Sequence, residues 1–112
     1  MVENKKLYWS GFFITVALGI FFSLHKSEAE QIAESCKALA SREQCYAKAF
    51  ENLTKKTDMA HAFLVLHKVQ TIDPQARGCH FIAHSISYAE TSKDPTRWRE
   101  ILNDAPQDCS YG

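Results

Sequence analysis

A nine-residue stretch, Arg77–Ser85, holds three side chains able to bind metals or take part in redox chemistry. Its sequence is RGCHFIAHS, in which Cys79 precedes His80 and His84 follows four positions later. Residues four apart on a helix lie on the same side, so two imidazoles in this arrangement can bind one ion. Zinc or another transition metal is the cofactor that imidazole ligands favour. His80 and His84 are therefore the candidate metal ligands.

Helix geometry separates the cysteine from the histidines. Cys79 shares the side nearly opposite His80 and His84 with the apolar residues Ile82, Ala83, Ile86 and Ala89. We expect Cys79 to face the core. Because zinc takes three or four protein ligands, the histidines form only half a site. Further ligands could come from His61, His67, an acidic residue or a second chain. The alternatives without a metal are local hydrogen bonds, contact with solvent or a direct acid–base role.

A catalytic function has weaker support in the sequence. There is no Ser-His-Asp arrangement, no His-Glu-x-x-His motif and no phosphate-binding glycine motif. A metal-dependent or thiol-redox enzyme centred on Cys79, His80 and His84 is the alternative. A cysteine nucleophile would require Cys79 to be a free thiol.

The cysteines bear on both compartment and stability. The chain has four, Cys36, Cys45, Cys79 and Cys109, and an even number in a short exported domain indicates disulfides. Four cysteines allow three pairings. A predicted helix break after Ala40 creates a hairpin about which Cys36 and Cys45 are nearly symmetric, so this pair is favoured and Cys79–Cys109 follows by elimination. Four free thiols are the alternative, which would require a reducing compartment.

The N-terminal segment predicts membrane targeting. Residues 7–24 carry no formal charge over 18 positions, and Lys5 and Lys6 precede them. At about 1.5 Å per residue the run reaches roughly 27 Å, close to the hydrocarbon thickness of a bilayer. We interpret residues 1–26 as a single-pass anchor or, if cleaved, a signal segment. The lysines should stay inside, so residues 27–112 would lie outside the cytoplasm, either periplasmic or extracellular, or would be secreted after cleavage. An inward-facing domain is the remaining alternative.

Residues 27–112 predict an all-α domain, a small disulfide-linked bundle of about five helices. Helix-start signals recur along it: the capping boxes Ser27/Glu30 and Ser41/Gln44, then Asp58, Asp73-Pro74 and Asp94-Pro95. The helix after Asp73 should carry the histidine motif and run to about Thr91.

Two further helices have distinctive apolar patterns. The central helix after Asp58 adds Leu64, Val65 and Ile72 to its main apolar face, which predicts packing on more than one side. In the last helix, the predicted apolar face is Trp98, Ile101 and Leu102. The tail from Asp104 is predicted to be a loop.

The charge balance bears on partners. Thirteen Lys and Arg residues match thirteen Asp and Glu residues, and no basic block occurs. Nucleic acid is therefore excluded as a predicted partner. The membrane and a protein partner remain.

The segments GCHFIAHSISYAE and CSYG resemble a group of exported bacterial helical proteins. That group carries Cys-His-x3-His on one helix and then a Cys-x-x-Gly-Cys-x-His-Gly type of motif. The matching residues lie in the second half of the chain: Gly78, Cys79, His80, His84, Cys109 and Gly112. The resemblance implies no particular activity. It implies that the second Cys and the His of the later motif would follow Gly112, so that the chain would be truncated before further metal ligands.

The sequence as a whole favours a membrane-anchored extracytoplasmic helical protein with a binding or interaction role, in which His80 and His84 bind a metal. The first alternative is the enzyme described above. The second is a structural subunit of a membrane complex, in which the helices pack against a partner protein.

Overall fold

The computed structural model describes residues 25–110, apart from the side chains of Asp108 and Ser110. The helices are α1 (Glu28–Cys36), α2 (Arg42–Lys56), α3 (Met59–Ile72), α4 (His80–Lys93), α5 (Trp98–Asp104) and α6 (Gln107–Ser110), with 3₁₀ turns at Pro74–Arg77 and Pro95–Arg97. No strand occurs between residues 25 and 110, so the all-α prediction is confirmed for this range. The apolar run 7–24 lies outside the described residues. Among residues 25–110, no helix has the length and apolarity that crossing a bilayer requires.

Four of the five predicted capping residues make a capping bond, with Asp73 and Asp94 each at the start of a 3₁₀ turn, and one does not. The hydroxyl of Ser27 accepts a hydrogen bond from the Glu30 backbone N–H at 3.2 Å. The Asp58 carboxylate accepts one from the His61 backbone N–H at 2.8 Å. Each bond satisfies a donor that the first turn of a helix leaves unpaired. Ser41 makes no side-chain capping bond, so the second predicted capping box is wrong.

Helix α1 is shorter than its apolar pattern predicts. It ends at Cys36 and not at Ala40, and residues 37–41 form the turn into α2. The Cys36–Cys45 disulfide holds the two Cα atoms 5.5 Å apart across a sequence separation of 9. The chain must reverse its direction within that interval. Residues that were predicted to continue α1 form the turn instead. Leu39 consequently lies in the turn and is 47% exposed.

A break precedes the helix that carries the histidines. Pro74–Arg77 forms a 3₁₀ turn, and α4 begins only at His80. Between them, Gly78 has φ −72° and ψ 64°, and the Cys79 backbone N–H donates to the carbonyl oxygen of Arg77 at 2.8 Å. These are the features of an inverse γ-turn. The prediction of one helix from Asp73 is therefore wrong, because this turn re-aims the chain immediately before the histidines.

The C-terminal segment packs through a single apolar residue of α5. Ile101 is 2% exposed, whereas Trp98 and Leu102 are 48% and 60% exposed. The prediction of a three-residue apolar face is therefore wrong, because the seven-residue α5 packs against one side of α4 only. The predicted loop after Asp104 contains the short helix Gln107–Ser110.

One core joins the helices, with α2 packed chiefly on α4 and α1 on α3. Its fully buried large side chains include Tyr46, Phe50, Leu66, Ile82, Ile86 and Ile101. Helix α3 buries Val65 beside its main face, at 4% exposure, but Leu64 is 54% exposed and Ile72 is 37% exposed. Of the three residues expected to extend the packing of α3 beyond its main face, only Val65 is therefore buried.

Two buried carboxylates fix the two ends of α3. At its C-terminal end, the hydroxyl of Tyr46 from α2 donates to Asp73 Oδ2 at 2.7 Å. At its N-terminal end, Glu90 Oε2 from α4 accepts from the Met59 backbone N–H at 3.1 Å and from Lys93 Nζ at 3.0 Å. Burial, together with the hydrogen bond to Asp73, raises the pKa of Tyr46 well above its ordinary value.

Candidate functional site

Both predicted disulfides are present. Cys36 is bonded to Cys45, and Cys79 is bonded to Cys109 across 30 residues. No cysteine among residues 25–110 is free. The pairing derived from the hairpin is thus confirmed, and the alternative of four free thiols is not.

The second disulfide lies in the core beside the histidines. Cys79 is 3% exposed and Cys109 is 0% exposed. Thiol–disulfide exchange requires a thiolate that can reach the sulfur, and here both sulfurs are bonded to each other and buried. A thiol-redox reaction at Cys79 would therefore first require this buried bond to be reached and reduced.

His80 and His84 are brought together by the first turns of α4. His80 is the first residue of the helix, and His84 follows one turn later on the outward side. The two Nε2 atoms are 3.1 Å apart. The rings meet edge to face, with centroids 4.6 Å apart and an interplanar angle of 87°. We call these two side chains the histidine pair.

The backbone of Cys109 orients one member of the histidine pair. His80 Nδ1 lies 3.3 Å from the carbonyl oxygen of Cys109. A carbonyl oxygen only accepts hydrogen bonds, so Nδ1 of His80 is the donor, and in the neutral imidazole its Nε2 is then an acceptor. His84 then donates from its own Nε2 to Nε2 of His80. The Cys79–Cys109 disulfide holds this acceptor in place, because Cys79 directly precedes His80.

The spacing of the histidine pair suits one metal ion. Two nitrogens bound to zinc at about 2.0–2.1 Å with tetrahedral angles lie about 3.3 Å apart. The observed separation of 3.1 Å is within a few tenths of an ångström of that value. Imidazoles that bind metals commonly donate their other ring N–H to a carbonyl or carboxylate oxygen, which is the contact that His80 makes with Cys109. An ion would displace the proton that His84 now donates.

A small groove adjoins the histidine pair, between α4 and the C-terminal helices. Its volume is about 130 Å³. Its lining residues are His80, Ala83, His84, Ser87, Leu102, Ala105 and Cys109. Apart from the histidines and the Ser87 hydroxyl, the lining side chains are apolar or already bonded. Between residues 25 and 110, no group of three or more His, Cys, Asp or Glu residues could hold a metal.

The other histidines considered as further ligands have different partners. His61 Nε2 is 3.1 Å from Glu28 Oε1, which ties α3 to α1. His67 Nδ1 is 3.3 Å from Gln70 Oε1 on its own helix. His61 thus contacts a neighbouring helix, but neither His61 nor His67 joins the histidine pair.

A second polar cluster lies at the turn between α1 and α2. Arg42 donates to Gln75 Oε1 and to the carbonyl oxygen of Lys37, and its Nη1 is 3.6 Å from Asp73 Oδ1. Its Nε is buried without a hydrogen-bond partner among the described residues. Arg42 therefore joins the start of α2 to the turn before it and to the segment after α3, which is a structural role.

Sequence reasoning did not identify the carbonyl of Cys109 or the buried carboxylate of Glu90. The first is a backbone atom, so no residue type marks it. The second sits in the stretch YAETSK, where a glutamate near a helix end ordinarily faces solvent. Only the contact with Met59 distinguishes it.

No protein-family model, no curated protein and no solved structure matches this chain.

Proposed function

We propose that this protein is a membrane-anchored extracytoplasmic helical protein that binds a transition metal, with zinc as the first candidate, through the histidine pair. Residues 1–26 form the anchor and residues 27–112 the domain outside the cytoplasm. Two disulfides indicate an oxidising environment, which the compartments outside the cytoplasm provide.

The observation that carries the proposal is the arrangement at His80. Its Nδ1 is engaged by the carbonyl of Cys109, and its Nε2 faces that of His84 at 3.1 Å. In the neutral pair this second contact is itself a hydrogen bond, and an ion bound between the two Nε2 atoms would replace it. The neutral imidazole with its proton on Nδ1 is the form of His80 that would bind a metal through Nε2.

The burial of the second disulfide also favours binding over thiol chemistry. Cys79 and Cys109 are buried and bonded to each other, Cys79 directly precedes His80, and the Cys109 carbonyl contacts Nδ1 of His80. Ligands held by a rigid support lose little conformational entropy on binding an ion. The role of this disulfide in the proposal is to position the Cys109 carbonyl.

The test uses full-length protein isolated from membranes that have been washed with alkaline carbonate. We expect the protein to stay in the washed membranes, because the anchor spans the bilayer. After purification in detergent and removal of metal by chelation, zinc is added and binding is measured by equilibrium dialysis. His80→Ala and His84→Ala should each abolish stoichiometric zinc binding. His67→Ala is the matched control, since it removes an exposed histidine of α3 that is not part of the pair, and it should bind like the wild type.

Two results would contradict the proposal. Extraction of the protein by carbonate would refute the anchor. Zinc binding that is absent from the wild type, or equal in the wild type and in both pair variants, would refute the metal site. Competition by protons should also weaken the binding at acid pH.

A further inference from the structure

We propose that the metal site is completed by a second copy of this chain, so that one zinc ion is held by four Nε2 atoms, from His80 and His84 of each copy. The inference rests on the proposed function, because it requires that the histidine pair bind zinc. It adds the partner and the stoichiometry.

The first ground is that the site is incomplete within the described residues. Structural zinc sites have four protein ligands, and the groove beside the histidine pair supplies the apolar side chains of Ala83, Leu102 and Ala105. No third His, Cys, Asp or Glu joins the histidines between residues 25 and 110. In a two-fold symmetric dimer each copy presents the same patch to the other. Two half-sites that meet on the axis therefore give four ligands.

The second ground is the surface around the histidine pair. Phe81, His84 and Tyr88 follow at intervals of three and four residues on the outward side of α4. Phe81 is 46% exposed, Tyr88 is 68% exposed and Leu102, beside the groove, is 60% exposed. Single exposed apolar residues are ordinary, but these three surround two potential metal ligands.

The third ground is charge. A face that meets its own copy must not repel itself, and the outward side of α4 carries no formal charge. The charged residues of this helix are Glu90, which is buried and hydrogen-bonded, and Lys93, the last residue, which pairs with it. In a chain with 13 basic and 13 acidic residues, this uncharged outer face is compatible with a symmetric contact.

The three grounds concern one continuous region. We define the pair face as Phe81, Tyr88, Leu102 and the histidine pair. Its apolar members would be removed from water around the ion, which strengthens electrostatic binding of the metal by lowering the local dielectric. Neither copy alone can provide this shielding, because all five side chains are exposed in the single chain.

The experiment titrates zinc into metal-free, full-length protein in detergent and measures molecular mass by light scattering. We expect a monomer in chelator, a dimer with zinc and an end point of one zinc per two chains. Cobalt(II) used in place of zinc should give the absorption spectrum of a tetrahedral site.

Variants of the pair face separate this inference from the proposed function. Tyr88→Lys leaves both histidines in place and adds no metal ligand of the carboxylate type, but sets two like charges against each other in the dimer. It should remain monomeric with zinc and bind the metal at least about tenfold more weakly, because two of the four ligands are lost. Leu64→Lys is the matched control, since it places the same charge at an exposed apolar residue of α3, and it should dimerise like the wild type.

The outcomes are distinct. An end point of one zinc per chain with an unchanged monomer mass would overturn the dimeric site and keep the metal site, whose other ligands would then belong to the same chain or to solvent. Equal dimerisation of Tyr88→Lys and wild type would also overturn it. No zinc binding at all would overturn both proposals.

Discussion

The region from α1 to α2 and the region from α4 to α6 contain one disulfide each, but the two bonds do different things. Cys36–Cys45 joins residues 9 apart across a single turn. Cys79–Cys109 joins residues 30 apart and brings the C-terminal segment against the start of α4. The first bond reinforces a hairpin that local sequence already specifies. The second creates contacts between distant segments, and the candidate site occurs only there.

The same contrast appears in how each region is attached to α3. In the first region, the neutral hydroxyl of Tyr46 donates a hydrogen bond to Asp73. In the second, the carboxylate of Glu90 accepts hydrogen bonds from the Met59 backbone N–H and from Lys93. Both carboxylates are buried, and a buried polar group left without its partner is costly. Each region is therefore fixed to one end of the central helix by a specific polar contact as well as by apolar packing.

The largest expected effect in either region is the loss of stability when its disulfide is removed. Replacing Cys79 and Cys109 together by alanine should lower the free energy of unfolding by about 3–4 kcal/mol, whereas replacing Cys36 and Cys45 should lower it by about 2.5 kcal/mol. The longer closed loop restricts the unfolded chain more strongly. Urea denaturation of the full-length protein in the same detergent measures both values.

The affinity for zinc should also differ between the Cys79/Cys109 and Cys36/Cys45 double variants. Loss of the Cys79–Cys109 bond removes the constraint on the Cys109 carbonyl and should weaken zinc binding by about 10–100-fold, the range found for outer-shell partners of metal ligands. The Cys36–Cys45 variant should bind zinc like the wild type. Equal affinities in the two variants would show that this disulfide does not position the site.

A smaller effect should appear at alkaline pH and should come from the first region. The pKa of Tyr46 is raised in the folded protein, so the neutral phenol favours folding. This contribution is complete below the unfolded-state pKa, about 10, and is lost as the pH rises towards the folded-state value. Above pH 10 the free energy of unfolding should therefore fall by up to about 1.4 kcal/mol per pH unit from this group.

Tyrosine variants in the two regions test whether Tyr46 causes the alkaline fall in the free energy of unfolding. Tyr46→Phe should reduce the alkaline slope, whatever it does to the stability at neutral pH. Tyr88→Phe, in the second region, should keep the wild-type slope because its ring is 68% exposed. Identical slopes in the wild type and Tyr46→Phe would assign the alkaline loss of stability to other groups.

The smallest expected effect concerns the two serines before the helices of the first region. Ser27→Ala removes an observed capping bond and should cost about 1 kcal/mol. Ser41→Ala removes no such bond and should change stability by less than about 0.5 kcal/mol. Thermal or urea unfolding of both variants makes the comparison. A larger loss for Ser41→Ala would contradict the capping assignment.

The accuracy of the sequence-based predictions followed the range of the interactions concerned. Cys36–Cys45 could be predicted because the residues flank one hairpin, and the burial of Cys79 followed from its place on a helix side. The predicted apolar face of the last helix included Trp98 and Leu102, which are half exposed or more, because periodicity shows which residues share a face but not how much of that face another helix covers. The end of α1 was misplaced because apolar residues continued past Cys36, while the turn required residues of its own.

By itself, the sequence determined that the domain after residue 26 is all-α, that Cys36 pairs with Cys45, and that His80 and His84 share one side of a helix. These features depend on local periodicity, on capping chemistry and on the position of two cysteines about one turn, all of which lie within short stretches of chain. Only the tertiary structure decided that the Cys109 carbonyl orients His80, that Glu90 holds the start of α3, and that no further ligand from residues 25–110 reaches the histidine pair. Those contacts join residues about 30 positions apart, and their geometry is set by the packing of the whole domain.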